Sequence, residues 1–558
     1  MIACASWSGT VRLARAARQS VLVPLVGLAA WVAPVAAQRA PAHATVVYAV
    51  GREPTMPIPL FTSNFLENED LADQLFLHLA VFKPGAQVSG DNALAPALAK
   101  AWHRVDPLTL VFDLDRRARW QDGTPVTAHD VVFTWQLASR IAADQSRLDP
   151  IAGVEATDQW TLRVRFKRPF AEQVYTFAFL MQPLPAHLLE RIPADAITTS
   201  DFARHPIGNG PFRFDHRVAG QLVELHADST FFLGRPTIDR VIFRFVTDAN
   251  TRQNMFLAGE TDVLDHIPGS ALPQISQHVD SRLVNAAASD LVYLLFNTRS
   301  RTDSTKPHPL FSDPRVREAL TLALDRAVIA RTTFGEGTPV PDAAQSQIWG
   351  WITPGGIRST PANVARARML LAQAGWHDTD GDGVLDKNGT PLRFTMMYVS
   401  SSAARNTIAL QAQQMWRAVG VQADLDRIEG TVIRGRVFTG QFDVWINGVG
   451  QDPTPSSLVQ SWSCESARQP GSTNYAHWCD STFDHLVANA VVARDQPAAW
   501  RAVLARMASL HPAVFIAAPG SIVAVHRRYD NVIIWPSRAW LSLWQWRVRP
   551  DAALPRDR

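Results

Sequence analysis

The sequence predicts an α/β protein built from several packed lobes. Short apolar stretches with strand alternation and longer stretches with helical spacing follow one another along the whole chain. At 558 residues the chain is longer than one hydrophobic core usually serves. Apolar residues make up 47% and charged residues 19%, as in ordinary globular proteins, and no stretch has the composition of a flexible linker. We therefore expect lobes in contact rather than separate domains on linkers.

The first half of the chain shows both patterns. Residues 45–50 (TVVYAV) and 110–114 (LVFDL) have the apolar character and alternation of strands. A turn at Asp122 and Gly123 leads to Thr127, which stands where an N-cap belongs. Asp130 follows three residues later, so the pair predicts a capping box and the start of a helix.

The second half contains the strongest helix signal. Residues 290–298 (DLVYLLFNT) are mostly apolar and predict a buried strand. Residues 313–334 (DPRVREALTLALDRAVIARTTF) predict one long helix, because Asp313-Pro314 is a typical start and Gly335 a typical end. After it, helical segments (ANVARARMLLAQAG, TIALQAQQMWRAVG) alternate with strands (LRFTMMYV, VQADLDRI, FDVWING).

Residues 1–37 have the features of a secretory signal peptide. Three arginines without acidic residues precede the apolar run SVLVPLVGLAAWVAPVAA, and Val35 and Ala37 fit the small positions before a cleavage site. We expect cleavage before Gln38. An uncleaved membrane anchor is the alternative, but the run contains two prolines and ends in small residues. Loss of the three arginines would leave no formal net charge, and no dense basic run predicts nucleic-acid binding.

Two cysteines, Cys464 and Cys479, remain after the predicted cleavage site. In an exported protein such a pair predicts a disulfide that closes a short loop. A metal site that includes His477 is the alternative, although no fourth ligand stands nearby.

Sequence motifs of common enzymes are absent. The chain has no Gly-x-Ser-x-Gly segment, no His-Glu-x-x-His segment and no phosphate-binding loop. The segment GNG at 208–210 is followed by proline and lacks the third glycine of a dinucleotide-binding turn. We therefore predict a protein that is not an enzyme and holds no cofactor, with a hydrolase as the rival class.

Six segments in a fixed order carry a family resemblance. Together they resemble the family 5 extracellular solute-binding proteins of ABC importers, which include oligopeptide-, dipeptide- and nickel-binding proteins. The segments span roughly residues 90 to 460 and are LAPALAKAW…DLDRRARWQDGTPVTAHDVVFTW, PIGNGPFRF, DANTRQNMFLAGETDVL, YLLFNT, FSDPRVREALTLALDR and GWHDTDGDGVLDKNGTPL.

The resemblance implies two hinged lobes of the periplasmic binding protein type II kind, plus an extra small α/β domain. The two chain crossings between the lobes are expected near 285–290 and 510–515. The expected division is a signal peptide at 1–37, lobe I at 38–60, 195–285 and 516–558, the extra domain at 61–194, and the other lobe at 286–515.

The resemblance also implies a function. It is that of the periplasmic component of an ABC importer, a monomer that captures a peptide or peptide-like solute and delivers it to the permease. The alternatives are a non-peptide solute (a metal chelate, haem or a sugar-like compound) and presentation of the ligand to a membrane sensor.

The ligand site is predicted in the segment FDVWINGVGQDPTPSSLVQSW. In peptide-binding relatives an aspartate after a Gly-Trp-x-x-like segment pairs with the α-ammonium group of the ligand, and Asp452 aligns with it. Val449 replaces the usual tryptophan, so a turn or N-cap role of Asp452 is the alternative. Further residues that could line the cleft are Trp445, Asn447, Trp462, Asn474 and Tyr475.

The acidic loop at 378–386 suggests a metal. Asp378, Asp380, Asp382 and Asp386 have the spacing of ligands in an EF-hand calcium loop. Gly389 stands where the bidentate glutamate belongs, so the expectation is at most a structural calcium ion. A polar turn without an ion is the alternative, and relatives have the same turn away from the ligand cleft.

Overall fold

The structure is a computed structural model that describes most of the chain after residue 42. It covers residues 43–557 apart from 55–56, 62–65, 84–89, 142–147, 149, 171, 180, 287–288, 470–471 and 536–537. The predicted signal peptide at 1–37 lies outside the described residues. None of the described helices is long and apolar enough to cross a membrane.

The described strands form three main sheets and three short ribbons. One sheet contains β1 (Thr45–Val50), β8 (Phe212–Val218), β9 (Leu222–Ala227), β10 (Arg240–Phe245), β11 (Val263–Leu264), β12 (Ser281–Ala286) and β20 (Ser521–His526), in the order β12-β20-β11-β1-β10-β9-β8. A second contains β13 (Asp290–Phe296), β16 (Arg393–Val399), β17 (Gln422–Ile428), β18 (Val444–Gly450) and β19 (Ala513–Ala517), in the order β17-β16-β18-β13-β19. A third contains β4 (Ala99–Asp106), β5 (Thr109–Leu114), β6 (Ile151–Ala156) and β7 (Thr161–Phe166), in the order β4-β5-β7-β6. The ribbons pair β2 (Ala80–Phe82) with β3 (Leu94–Pro96), β14 (Asp386–Lys387) with β15 (Thr390–Pro391), and β21 (Tyr529–Asp530) with β22 (Arg547–Val548).

Helices lie between the strands throughout. The described α-helices are α1 (Leu66–Leu75), α2 (Ala128–Ala138), α3 (Ala186–Leu189), α4 (Asp201–Arg204), α5 (Ala249–Leu257), α6 (Leu272–Gln277), α7 (Pro314–Leu322), α8 (Arg326–Phe334), α9 (Val364–Gln373), α10 (Ala403–Arg417), α11 (Gly430–Phe438), α12 (Leu458–Trp462), α13 (Cys464–Arg468), α14 (Ser481–Val492) and α15 (Gln496–Leu510). The other helical segments are one turn of π-helix, Tyr175–Phe179, and several short 3₁₀ segments, among them Gln347–Ile352 and Pro455–Ser457. The predicted α/β class is confirmed.

The five-stranded sheet is covered on both faces. Along β18, Val444 and Ile446 belong to one hydrophobic cluster, whereas Trp445 packs against a different cluster. This follows from the two-residue period of a strand, which sends alternate side chains to opposite faces. Strand β16 pairs in parallel with both β17 and β18, as expected for a sheet covered by helices.

The predicted long helix at 313–334 is wrong. The structure has two helices there, α7 and α8, with Ala323 as the C-cap of the first. The carboxylate of Asp325 accepts a hydrogen bond from the backbone of Val328 and caps the second helix. An aspartate inside a helical pattern can start a new helix, and this signal competes with continuation of the first helix. On the first of these helices, Arg317 is buried and donates to the carbonyl of Leu510.

The predicted start of α2 at Thr127 is confirmed. Thr127 and Asp130 form a reciprocal capping box. The backbone of Thr127 donates to one carboxylate oxygen of Asp130 at 2.8 Å, and the backbone of Ala186 donates to the other at 2.9 Å. Asp130 is therefore a structural residue that joins α2 to α3.

The glycines at 208 and 210 serve a close backbone approach. A Cβ on Gly208 would lie 1.9 Å from the carbonyl oxygen of Leu75, and one on Gly210 would lie 2.7 Å from a backbone atom of the same residue. Only residues without a side chain fit here. The segment GNG thus packs the chain against the end of α1.

Sheet membership follows the predicted division of the chain at most points. The seven-stranded sheet draws on 45–50, 212–286 and 521–526, and the four-stranded sheet on 99–166. The second crossing is predicted near 510–515, but β19 continues to Ala517 within the five-stranded sheet. The crossing therefore lies at 517–521, while the predicted domain boundaries as such stay a prediction.

Candidate functional site

Two short crossings join the carboxyl edges of the two large sheets, and the space between these edges is called the cleft below. Strands β1, β10 and β11 run parallel, so their carboxyl ends lie at one edge of the seven-stranded sheet. In the five-stranded sheet β16, β17 and β18 are parallel, and their carboxyl ends likewise share an edge. The chain passes between these edges at 286–290 and 517–521, and four residues span at most about 14 Å. Ligands of open α/β sheets bind at such carboxyl edges.

Electrostatic coupling shows that the two edges are close. Asp265 and His266 follow β11 on one side, and Asp290 begins β13 on the other. The charge of Asp265 raises the pKa of His266, against the effect of burial, and Asp290 adds to it. Burial raises the pKa of Asp290, and His266 opposes this. His266 also has a backbone φ of 48°, an uncommon conformation for a residue other than glycine.

Asp452 lies at the cleft edge, just beyond the end of β18. Its backbone is fixed, because Trp349, which is fully buried, donates its indole N–H to the Asp452 carbonyl at 3.0 Å. The preceding Gln451 donates its backbone N–H to Ser289 and its side-chain amide to the Ala344 carbonyl. By contrast, the half-buried carboxylate of Asp452 has no hydrogen bond or ion pair to any described residue. The backbone of Asp452 is therefore fixed, whereas its carboxylate has no ionic partner among the described residues.

Arg405 is a site residue that the sequence reasoning missed. It lies in the first turn of α10, after β16, and therefore at the same carboxyl edge as Asp452. Its guanidinium packs against the backbone of Gly448, where an added Cβ would lie 2.9 Å from a guanidinium nitrogen. Burial lowers the pKa of Arg405, and no described residue forms an ion pair with it. A cation in the first turn opposes the helix dipole, and this unfavourable placement was the available signal.

Glu172 connects the 61–194 segment to the loop after Asp452. It is buried and accepts a hydrogen bond from the hydroxyl of Ser456. Burial raises the pKa of Glu172 from its ordinary value of 4.5 to about 7, and the charge of Asp452 adds to this. Hydrogen bonds from Ser456 and Thr454 oppose the rise. The contact is therefore sensitive to protonation near neutral pH.

Replacing Glu172 by glutamine is expected to flatten the pH dependence of stability. Because the folded-state pKa is the higher one, the carboxyl stabilises the fold below its unfolded pKa and loses this contribution as the pH rises through about 7. Glu172 should contribute a loss of about 2 to 3 kcal/mol in the free energy of unfolding between pH 4.5 and 8, and Glu172→Gln should lack this contribution. Unfolding midpoints across this range measure the difference.

The matched control for Glu172 is Glu190→Gln, which changes a more exposed carboxylate beside His129. This variant should keep the wild-type pH profile. Identical profiles for wild type and Glu172→Gln would contradict the assignment.

Two of the predicted lining residues lie away from Asp452. Trp445 and Tyr475 are half-buried and stack edge to face at 5.6 Å, and Phe438 contacts Tyr475 at 5.5 Å. Trp445 precedes Asp452 by seven residues of mostly extended chain, a distance of about 20 Å. The structure therefore does not bring this aromatic group together with Asp452.

Three further predicted lining residues have structural contacts. Asn447 is buried and donates to the hydroxyl of Tyr293 at 2.9 Å. Trp462 is buried in the hydrophobic cluster on the same face of the sheet. Asn474 is buried and donates to the carbonyls of Ser463 and Trp478. All three therefore have structural contacts, and their role in lining the cleft stays a prediction.

Cys464 and Cys479 form a disulfide with an S–S distance of 2.03 Å. It closes the loop that carries Asn474 and Tyr475. His477, the alternative metal-ligand candidate, lies in this loop, and burial lowers its pKa.

The carboxylates of the acidic loop accept hydrogen bonds from the backbone of the same loop. The carboxylate of Asp378 accepts from the backbones of Gly381 and Gly383, and that of Asp382 accepts from Val384. Oxygens of Asp378, Asp380 and Asp382 lie within 4.8 Å of one another, and all three residues are exposed. Asp386 is outside this group and accepts from both the backbone and the hydroxyl of Thr379. The geometry is that of a polar turn, and calcium binding stays a prediction.

Comparison with known proteins extends over most of the chain. The model of the bacterial extracellular solute-binding proteins, family 5 Middle, matches residues 93–469. The oligopeptide-binding protein AppA of Bacillus subtilis is 25% identical over 451 residues, which are 78% of this chain and 80% of AppA. The periplasmic oligopeptide-binding protein OppA of Salmonella typhimurium is 25% identical over 448 residues, 72% of this chain and 74% of OppA.

Solved structures show the same fold. AppA from Bacillus subtilis in complex with a nonapeptide superposes with a TM-score of 0.76 at 24% identity, covering 91% of this chain and 99% of AppA. NikZ from Campylobacter jejuni in complex with Ni(L-His) superposes with a TM-score of 0.75 at 20% identity, covering 90% of this chain and 99% of NikZ. The predicted fold of the type II binding-protein kind is confirmed.

Proposed function

Since the chain belongs to the bacterial extracellular solute-binding proteins of family 5, we propose that it captures a peptide or peptide-like solute between its two sheets and delivers it to an ABC permease. The relatives named as oligopeptide-binding proteins support a peptide as the ligand. The family is one of binding proteins, so no covalent step is assigned to the cleft.

One observation on this chain itself supports the proposal. Asp452 and Arg405 have opposite charges, lie at one sheet edge, and have no ionic partner among the described residues. A buried charge without a partner is costly, so such groups are retained where a ligand supplies the partner. A peptide supplies both, because its ammonium group pairs with a carboxylate and its carboxylate accepts the two parallel bonds of a guanidinium.

Closure of the cleft provides the mechanism. Asp452 and Arg405 belong to the five-stranded sheet, whereas Asp265 and His266 belong to the opposite edge. A ligand that contacts both edges binds the closed state more tightly than the open one, and this difference shifts the population toward closure. The crossing at 517–521 is a short segment at which such a hinge can bend.

The proposed location is the periplasm. The features of residues 1–37 support export, and a relative such as OppA is named a periplasmic protein. The proposed partner is the permease of an importer, which would bind the closed form of a monomer.

Native mass spectrometry of protein purified without refolding tests the function. We expect a ladder of bound masses that fragment as short peptides, because a cleft that recognises the two termini accepts many side chains. A single non-peptide mass would instead assign a chelate, haem or sugar-like ligand. An unchanged mass before and after denaturation, together with no binding of a mixed peptide library, would contradict solute capture.

Replacing Arg405 by glutamine should weaken binding of peptides that have a free carboxyl terminus. Loss of a desolvated charge pair costs about 2 to 4 kcal/mol, or roughly 30- to 1,000-fold in Kd. Amidated peptides, which lack that charge, should bind wild type and variant alike. Isothermal titration calorimetry with one peptide in both forms measures this, and Arg417→Gln, at the exposed far end of α10, is the control. An equal loss for both peptide forms would assign Arg405 to another role.

A further inference from the structure

The hairpin of β8 and β9 carries an irregularity that gathers polar side chains. Phe214 pairs with Leu225, but the next pair is His216 with Glu224, so Asp215 is an extra residue in β8. A bulge of this kind turns the side chain of the inserted residue and re-aims it relative to the regular pleat. Here it brings Asp215 to the face that carries Glu224 and His226.

Three side chains converge at the bulge. The Nε2 atom of His226 lies 3.1 Å from a carboxylate oxygen of Glu224 and 3.7 Å from one of Asp215. The three potential ligand atoms all lie within 4.8 Å of one another. In a tetrahedral site with metal–ligand bonds of about 2.0 to 2.1 Å, neighbouring ligand atoms are about 3.3 to 3.4 Å apart. The observed spacings of His226 to the two carboxylates lie on either side of this value.

Glu224 is fixed in position, whereas Asp215 and His226 are accessible to solvent. Glu224 is buried, and Arg240 donates to its carboxylate at 2.7 Å, which fixes its position. The side chains of Asp215 and His226 are 48% and 47% exposed. Glu224 and His226 also border a surface depression of about 500 Å³, so an ion can reach them from solvent. One buried, fixed ligand with two accessible ones is a geometry that needs little rearrangement to bind.

We propose that Asp215, Glu224 and His226 form a site for a divalent transition-metal ion such as Zn²⁺. An imidazole with two carboxylates matches the ligand preference of zinc and its neighbours, and three protein ligands leave one position for water. The carboxylate of Asp215 offsets part of the ion's charge, whereas that of Glu224 is also paired with Arg240. His216 lies against the same carboxylate of Asp215, with its Nδ1 atom at 2.6 Å, and acts as a positioning residue for that ligand.

The site is separate from the proposed peptide cleft. Strands β8 and β9 form one edge of the seven-stranded sheet, with β10 and β1 between them and β11. A metal ion bound there would cross-link the hairpin and would not be the solute carried in the cleft. The proposal therefore stands independently of the proposed function.

Cobalt and zinc binding by the mature protein, freed of any histidine tag and of metal, tests the site. We expect one Co²⁺ per chain with the visible absorption of a four- or five-coordinate ion, displaced by one equivalent of Zn²⁺. His226→Gln and Asp215→Asn should each weaken Zn²⁺ binding by at least about 100-fold, and His216→Gln by about 10-fold.

Two controls make the result specific. Asp378→Asn/Asp380→Asn removes charges of the other carboxylate cluster and should leave the Co²⁺ spectrum unchanged. Without metal, the wild type and the hairpin variants should show the same cooperative unfolding by tryptophan fluorescence, which shows that the variants fold. Zn²⁺ binding that survives both His226→Gln and Asp215→Asn, or no binding at millimolar Zn²⁺, would overturn the proposal.

Discussion

Replacing Asp452 by asparagine should weaken the binding of peptides with a free amino terminus by about 30- to 1,000-fold. The carboxylate has no ionic partner among the described residues, and its backbone is fixed by Trp349. The variant keeps the shape of the side chain but removes the charge, so a desolvated ammonium group loses its counter-charge at a cost of about 2 to 4 kcal/mol. Calorimetric titration with a single short peptide measures the change.

N-acetylation of the peptide provides the comparison for Asp452. An acetylated peptide lacks the ammonium charge, so it should bind the wild type weakly and lose little more with Asp452→Asn. Asp303→Asn, which changes an exposed aspartate beside Lys306, is the control and should leave affinity unchanged. Equal affinity of the unmodified protein for free and acetylated peptides would show that Asp452 does not bind the terminus.

The position of Asp452 at the sheet edge could be predicted from the sequence, because a strand pattern and the family resemblance agree there. The segment FDVWING predicted a strand, and the structure has β18 at Val444–Gly450. A polar residue just after a strand of a parallel pair lies at the carboxyl edge of the sheet, where ligands bind. Strand signals and the resemblance thus sufficed to locate this residue, whereas its role stays a proposal.

Other parts depended on long-range packing that no local pattern records. Arg405 is notable only because its guanidinium meets Gly448 from another strand and no described residue supplies a counter-charge. Trp445 and Tyr475 are close to Asp452 in the sequence, but an extended strand separates residues quickly. In the structure Tyr475 packs against both Trp445 and Phe438. Residues 313–334 contain two helix starts, Asp313 and Asp325, and tertiary packing decides whether the second one is used.

A buried ion network fixes the start of β1, at the sheet that forms one side of the cleft. Arg528 and the carboxylates of Asp262 and Asp557 are fully buried, and Arg528 bonds to both. Asp262 accepts from the backbone of Val47 at 2.8 Å, and Asp557 accepts from that of Thr45 at 3.0 Å. Burial disfavours the charged guanidinium, yet Asp262 and the other partners prevail and raise the pKa of Arg528. Three distant parts of the chain are therefore joined through one cation.

Replacing Arg528 by methionine should lower the free energy of unfolding by about 3 to 5 kcal/mol, because buried Asp557 would lose its cationic partner and buried Asp262 would keep only Arg556. Denaturant unfolding followed by tryptophan fluorescence measures the loss, and Arg549→Ala, at an exposed pair with Asp551, should cost less than about 0.5 kcal/mol. Adding Asp557→Asn to Arg528→Met should restore part of the stability, since the carboxylate left without a cationic partner is removed. If the single variant unfolds like the control, the network contributes no net stability and the start of β1 is held by its hydrogen bonds alone.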